Sequence, residues 1–418
     1  IVIFDTESKN YLKSKNNIFI DISNVIKNNK LSSISDIKKK LKEKKIKNIN
    51  YILKHEKVFY GKRNNFKILS NYLDIHEFLE NHEEFNSPNN LFIQEIGGFV
   101  PNLCIYEFCK RKKINHYFLE TSFFSNHVHF IKNNTKCIPI KNNVIDEKFE
   151  LNSYLNNLKE NNLISIPLKD TRHFKLPLKK LFDLHNFKRF VQKVSKKYLL
   201  NFKYVFGEDI LILLNNLKCI LNYNTIKKYY SKDIRHEYVY FPLHVPNDFA
   251  ITYRSSNYYD QLNFVDKLCK LIYPKTIFIK EHPARVGSFH AKKIKELLIQ
   301  NKNLRIIDPR VNNFEIIKNC QYLVSINSKA GYEAILLGKH VITLGESYYK
   351  NSNLIKYCQN LYELKNSHNY LEKKISNQEI MDFFSSIKQQ CFKGALYDMS
   401  SINVKNFSNS IKQILNND

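Results

Sequence analysis

A chain of 418 residues with 43% hydrophobic content exceeds one compact core and suits two domains of ordinary size. No stretch reaches the roughly 18 consecutive apolar residues of a membrane span, the densest run, Ile210 to Leu214, being far too brief, and no secretory signal is visible. The formal charge of +27 invites nucleic acid or an anionic membrane surface as partner, but the lysines are spread along the whole chain together with abundant Asn and Ile, as an AT-rich coding bias would produce.

The diffuse charge is therefore permissive for sitting against anionic lipid and specific for nothing sharper. The eight cysteines, at 104, 109, 137, 219, 269, 320, 358 and 391, stand singly, with no C-x-x-C pair and no zinc spacing. They read as reduced, mostly buried thiols of a cytosolic protein. The chain starts at Ile1 rather than Met, which reads as a trimmed or processed terminus.

From the N-terminus, "IVIF", "NIFIDI", "INYILK", "LFIQEI" and "HYFLE" have the short apolar form of strands. The segments Ser35 to Lys44, Asn65 to Glu83 and Pro101 to Lys113 have helical periodicity. Alternation of this kind predicts a parallel sheet covered on both faces, over residues 1–175. Residues 176–232 turn helical, rich in Lys, Phe and Leu, and read as an inter-domain segment.

A second alternating series fills residues 233–352. "EYVYFPLH" is a strand, Tyr259 to Ile272 a helix, "TIFIKEH" a strand, and Phe289 to Gln300 a helix. "LRIIDP", "QYLVSINS" and "HVITLGES" follow as strands, with helices at "NFEIIKNC" and "KAGYEAILLG" between them. Five strands and four helices predict a doubly wound α/β domain. Residues 353–418 read as helices. The fold class is thus α/β with two Rossmann-like doubly wound domains facing across a cleft, the GT-B architecture, and C-terminal helices.

Chemistry concentrates at predicted strand ends. Ser328 falls between strand and helix as an N-cap, and the N–H groups behind it would form an anion site. Gly331 lies in the first helical turn, where glycine costs about 1 kcal/mol relative to Ala, so close approach of a phosphate or helix is the expected reason. Glu333 could reach the hydroxyls of a ribose, and Gly338 closes the helix. An ordinary capped helix with a packing glycine explains the stretch equally well. In "IKEHPARVG", Pro283 holds His282 extended at the sheet's carboxyl edge, with Lys280 and Arg285 adding positive charge or simply solvated. His244, ending "YFPLH", would stand on the same rim.

"FPLHVPND" followed by "YYDQL", then "IKEHPARVG", then "NSKAGYEAILLGKHVITLGESYY" resembles the bacterial capsule polysaccharide biosynthesis family. That family holds GT-B glycosyltransferases, including enzymes that transfer Kdo from CMP-Kdo. The likeness runs from Tyr238 to Tyr349 and more loosely into "FIQEIGGFVPN" and "HYFLETSFF". The histidine-proline pair also resembles one in bacterial sialyltransferases. The resemblance implies that His282 and Pro283 bind the nucleotide, Ser325, Asn327 and Ser328 the phosphate, and Glu333 the ribose, with His244 and Lys280 beside them. Lys329 stands where the family has Ser or Thr, and its ammonium would replace the lost hydroxyl.

An inverting transfer needs a base for the acceptor hydroxyl. Glu95 in "QEIGG" is the first choice and Glu120 in "LETSFF" the second, and each could instead cap a helix. No metal-carboxylate motif lies at a matching strand end, so no metal and no further cofactor are expected. The implied partners are a CMP-activated sugar, a glycan or lipid-linked acceptor and the inner face of the cytoplasmic membrane, and no nucleic acid. The alternatives are a glycerophosphotransferase using a CDP-activated donor, which shares the histidine-proline pair, and a basic nucleic-acid-binding protein.

Overall fold

The apolar strands of the second series assemble side by side because each is hydrophobic on both faces and can be covered only by helices above and below. A computed structural model describes residues 2–3, 20–21, 33–44, 46, 49–60, 64–143, 149–163, 174–200, 209–231, 233–234 and 237–417. The chain divides into two compact units, one of residues 1–117 with 177–218, the other of residues 118–176 with 219–418. The sequence places its divisions at 175, 232 and 352 instead. Residues 118–176 pack with the C-terminal part, and the expected helical linker is split between the units at 218.

In the first unit, strands β1 (Val2–Ile3) and β2 (Ile20–Asp21) pair in parallel. The rest of "IVIF" and "NIFIDI" lies outside the described residues. Helices Ile34–Glu43 and Asn65–Asn81 form where periodicity predicts them, and side chains of Ser33 and Asn64 accept from first-turn N–H groups. Strand β3 (Leu91–Glu95) leads into helix Val100–Lys112. Strand β4 (Asn115–Thr121) begins here, and its residues from Phe118 on belong to the second unit.

"INYILK" is not a strand but the start of helix Ile49–Tyr60. A stretch of six residues cannot reveal a 3.6-residue period; it emerges only over the whole helix, where Leu53 and Tyr60 are buried on one face and buried Glu56 accepts the N–H of Val100 at 3.0 Å.

The second unit carries β5 (His127–Lys132), β6 (Tyr230–Ser231), β7 (Tyr238–Pro242), β8 (Ile277–Lys280), β9 (Leu304–Ile307), β10 (Cys320–Ser325), β11 (His340–Thr343), β12 (Ile355–Tyr357) and β13 (Phe392–Lys393). All but β5 and β13, which pair antiparallel, form one seven-stranded sheet ordered β12-β11-β10-β7-β8-β9-β6. Every pairing in it is parallel.

Along β7, Tyr238 and Tyr240 enter one core and Val239 and Phe241 the other, as the two-residue period of a strand requires. Helices Asn313–Asn319 and Ala330–Leu336 cover the first face; Gln261–Leu271 and Ala291–Gln300 cover the second. The α/β class and the doubly wound sheet are as expected. The expected all-helical remainder after 353 also contains β12, which extends the sheet, and β13. Strands of two or three residues carry too few apolar positions to show a period.

The chain leaves β7 toward β8 and β9, then crosses back to place β10 on β7's other side. The strand order therefore reverses between β7 and β10, and the crevice beyond their carboxyl ends is where open α/β sheets bind ligands.

Candidate functional site at the switch point

His244 and Asn327 meet across this reversal. The N–H of Asn327 donates to Nε2 of His244 at 3.4 Å. Gln261, 1% exposed, fixes the His244 backbone from below, accepting its N–H at 2.8 Å and donating to its carbonyl at 3.3 Å. Burial, with the charge of His282 nearby, pushes the His244 imidazole down to about 3. It is a neutral ring whose Nε2 accepts, which puts the proton on Nδ1.

His282 adopts φ −63° and ψ 127°, the extended backbone that Pro283 demands. Its Nδ1 accepts the N–H of Ala284 at 3.2 Å, which leaves Nε2 as the protonated, donating nitrogen. Phe174 meets the ring edge-on at 5.8 Å between centroids. The following loop is held by Glu281, 1% exposed, which accepts from the N–H of Gly287 at 3.1 Å and of Phe289 at 3.4 Å. Burial pushes this carboxyl up to about 7.

The turn after β10 departs from expectation. The first residue before helix Ala330–Leu336 is Lys329, with helical dihedrals and no side-chain cap of its own. Ser328 still caps one residue earlier, its Oγ accepting from Ala330 N–H at 3.2 Å and its carbonyl from Gly331 N–H at 3.0 Å. Ser325, fully buried, accepts the N–H of Ser328 at 2.8 Å. The amide of Asn327 donates to the Ala250 carbonyl and to Ser255 Oγ, both at 3.0 Å. The N–H groups expected to cradle a phosphate are thus largely occupied within the turn, because its residues fold back on one another before the helix begins. Gly338, at φ +69°, ends the helix as expected.

Lys329 is also redirected. Its Nζ donates at 3.2 Å to the carbonyls of Thr121 and Ser122 and to Thr121 Oγ1, which uses the three donors of an ammonium. Gly331 has a different cause from a phosphate: a Cβ there would lie 2.5 Å from the ring of Tyr349, whose hydroxyl donates to the Ser328 carbonyl at 2.5 Å.

Beneath the rim lies a buried polar chain. Tyr240 donates to Asn313 Oδ1 at 2.8 Å, and Asn313 Nδ2 donates to Glu333 Oε2 at 2.7 Å. Lys280, expected as rim charge, is 4% exposed and donates to the Val311 carbonyl at 2.9 Å. Burial lowers its ammonium to about 8, against the pull of Glu333, Asp308 and Glu315, while burial raises Glu333 to about 7.

Of the two candidate bases, Glu120 belongs to the second unit. Arg254 Nη1 donates to its Oε2 at 2.7 Å, and Tyr348 donates to the same oxygen. Although burial opposes it, the Arg254 guanidinium and these bonds hold the carboxyl below its ordinary range. Arg254 ends a single π-turn, Ala250–Arg254, and no motif in the sequence marks it. Glu95 lies in the first unit at the end of β3, half-buried, its carbonyl accepting from Asn102 Nδ2 at 3.2 Å.

Sequence reasoning missed Gln261, Glu281, Arg254, Asn313 and Tyr348. Gln261 and Tyr348 fall within the quoted "YYDQL" and "LGESYY" stretches and Glu281 beside the histidine-proline pair, whereas Arg254 and Asn313 had no local signal. All eight cysteines are buried free thiols. Among the described residues no group of three His, Cys, Asp or Glu side chains is placed to hold a metal ion, and no helix is long and apolar enough to cross a membrane.

Residues 211–395 match the family described as "Capsule polysaccharide biosynthesis protein", which bears out the resemblance over that segment. The chain is 33% identical over 139 residues to Protein FixF of Sinorhizobium fredii, covering 32% of this chain and 33% of FixF, about a third of that relative's length. Two solved structures are similar at low identity. The KpsC β-Kdo 2,7 transferase of Thermosulfurimonas dismutans is 14% identical, with a TM-score of 0.33 over 82% of this chain and 89% of that one. The UDP-GlcNAc 2-epimerase of Methanocaldococcus jannaschii is 15% identical, with a TM-score of 0.29 over 90% of this chain and 93% of that one.

Proposed function

We propose that this chain, through its capsule polysaccharide biosynthesis segment, is an inverting glycosyltransferase of surface polysaccharide synthesis. It takes Kdo or a sialic-acid-like sugar from a CMP-activated donor and passes it to a glycan or glycolipid acceptor. The observation that carries this reading is the placement of His244 and His282 at the sheet's reversal, with His282 held so that Nε2–H donates.

In the proposed step the acceptor hydroxyl oxygen attacks the anomeric carbon from the face opposite the leaving group. The bond from that carbon to the phosphate oxygen breaks, CMP departs with the electron pair, and a base takes the hydroxyl proton. His282 stabilises the negative charge on the departing phosphate by its Nε2–H. Glu333 takes the ribose hydroxyls through the oxygen that Asn313 does not occupy. Glu95 is proposed as the base. Glu120 is a poorer proton acceptor, because its pairing with Arg254 lowers its affinity for protons. No metal or other cofactor takes part in this reading.

A thermal-shift screen of CMP, CDP, UDP and GDP tests it, since a ligand present at 100 times its Kd stabilises the folded state by about 2.7 kcal/mol. CMP is expected to raise the melting temperature. A shift by UDP or GDP alone sinks the CMP-sugar reading, and a shift by CDP without CMP favours the CDP-donor glycerophosphotransferase. Against the nucleic-acid reading, many aromatic side chains, among them Tyr72, Tyr117, Tyr238 and Tyr240, are buried in the cores, and failure to bind an unrelated oligonucleotide at modest salt would remove it.

A further inference from the structure

Helix Leu184–Tyr198 in the first unit turns its apolar side outward. Leu184, Phe187, Val191 and Tyr198 follow the three- and four-residue steps of one helical face, and they are 83%, 60%, 47% and 62% exposed. Leu199 and Leu200 continue the patch at 76% and 60%. Lys188 is exposed beside the stripe, and Arg189, also exposed, lies with Lys193 and Lys196 on the remainder of the helix. Burial of an apolar stripe normally drives a helix onto its own core. Here the stripe is exposed instead.

We propose that this helix is an interfacial docking surface that lies in the plane of an anionic phospholipid bilayer, with Leu184, Phe187, Val191 and Tyr198 in the acyl boundary and the flanking cations at the headgroups. The charge pattern selects the occupant. An apolar stripe bordered by lysine and arginine is complementary to an apolar layer covered by phosphate. A second copy of the chain would bring a like charge of +27 against the same cations. Adsorption of this kind needs no spanning helix, and none is found among the described residues. The inference is independent of the nucleotide: the surface lies in the first unit, and the histidine pair in the second.

The test uses the full chain and phosphatidylcholine vesicles with and without phosphatidylglycerol. Co-sedimentation is expected only with the anionic vesicles and is expected to fall as salt is raised. The double variant Phe187→Glu, Val191→Glu and the double variant Lys188→Glu, Arg189→Glu should each lose most of the bound fraction, at an unchanged melting temperature, because all four side chains are exposed. The chain has no tryptophan, so Phe187→Trp supplies a single reporter inside the stripe. Its emission should shift to the blue on adding anionic vesicles, whereas Tyr362→Trp, at a position 76% exposed in the other unit, should not shift. Failure of the wild-type chain to sediment, equal binding by the Glu variants, or an unshifted emission spectrum of the Phe187→Trp variant overturns the proposal. So does a dimer in solution that Phe187→Glu dissolves, which would assign the stripe to self-association.

Discussion

Arg254 Nη1 stands 2.7 Å from Glu120 Oε2, with the arginine side chain 3% and the glutamate side chain 23% exposed. Tyr348 donates to the same carboxylate, and its ring lies under the guanidinium at 5.6 Å. Removing one member leaves the other charge largely buried without its partner. Glu120→Gln and Arg254→Ala are each expected to destabilise the second unit by about 3 kcal/mol. Urea unfolding measures this; a loss below about half a kilocalorie per mole would mean that the pair is solvated.

Gly331 and Tyr349 offer a cycle with a definite sign. Gly331→Ala drives a methyl group into the Tyr349 ring and should cost about 1–3 kcal/mol. In the background of Tyr349→Ala the same glycine substitution should become nearly neutral. The coupling between the two, read from chemical denaturation, would vanish if the glycine answered to a ligand rather than to the ring.

His282→Ala is expected to weaken CMP binding at least several-fold without lowering the melting temperature of the free protein, since the bond its ring accepts from the Ala284 N–H is local. Glu333→Gln should also weaken CMP binding. Unfolding of the histidine variant would make His282 a structural residue.

Glu95→Gln should abolish turnover while leaving the CMP-induced melting shift intact. Retained turnover would remove Glu95 as the base.

Acid should destabilise the protein. Burial lowers His55, His116 and His129 to about 4, and His76 and His244 to about 3. Below about pH 6.5 the unfolded chain binds protons that these rings refuse, so stability falls toward about pH 4, by about 1.4 kcal/mol per histidine per pH unit at most. Glu281 and Glu333, raised to about 7, act oppositely: the folded state keeps their protons between about pH 4.5 and 7, where the unfolded chain has lost them. Five rings outweigh two carboxyls, so the melting temperature at about pH 5 should lie below that at about pH 7.5. A higher value would show that the histidines are solvated.

Much of the second unit was legible from its strands. Five apolar runs, each ending in charge, proline or a small polar residue, became β7 to β11, because a strand buried on both faces must be apolar throughout. Pro283 alone was enough to place His282 in extended backbone. "INYILK" misled because its helical period appears only over the next two turns. Arg254 was invisible because its significance lies in meeting Glu120, 134 residues away in sequence.

The α/β class, the helices with clear caps and the histidines at strand ends follow from local sequence alone, because these depend on side-chain period and on the dihedral limits of proline. Long-range packing set β10 beside β7, and so brought His244 to Asn327. It also decided that Lys329 and Lys280 point to carbonyls rather than to solvent, and that Tyr349 fills the space Gly331 leaves. A donor's partner is chosen by what packing brings within about 3 Å of it once the chain is buried, and no local stretch of sequence contains that information.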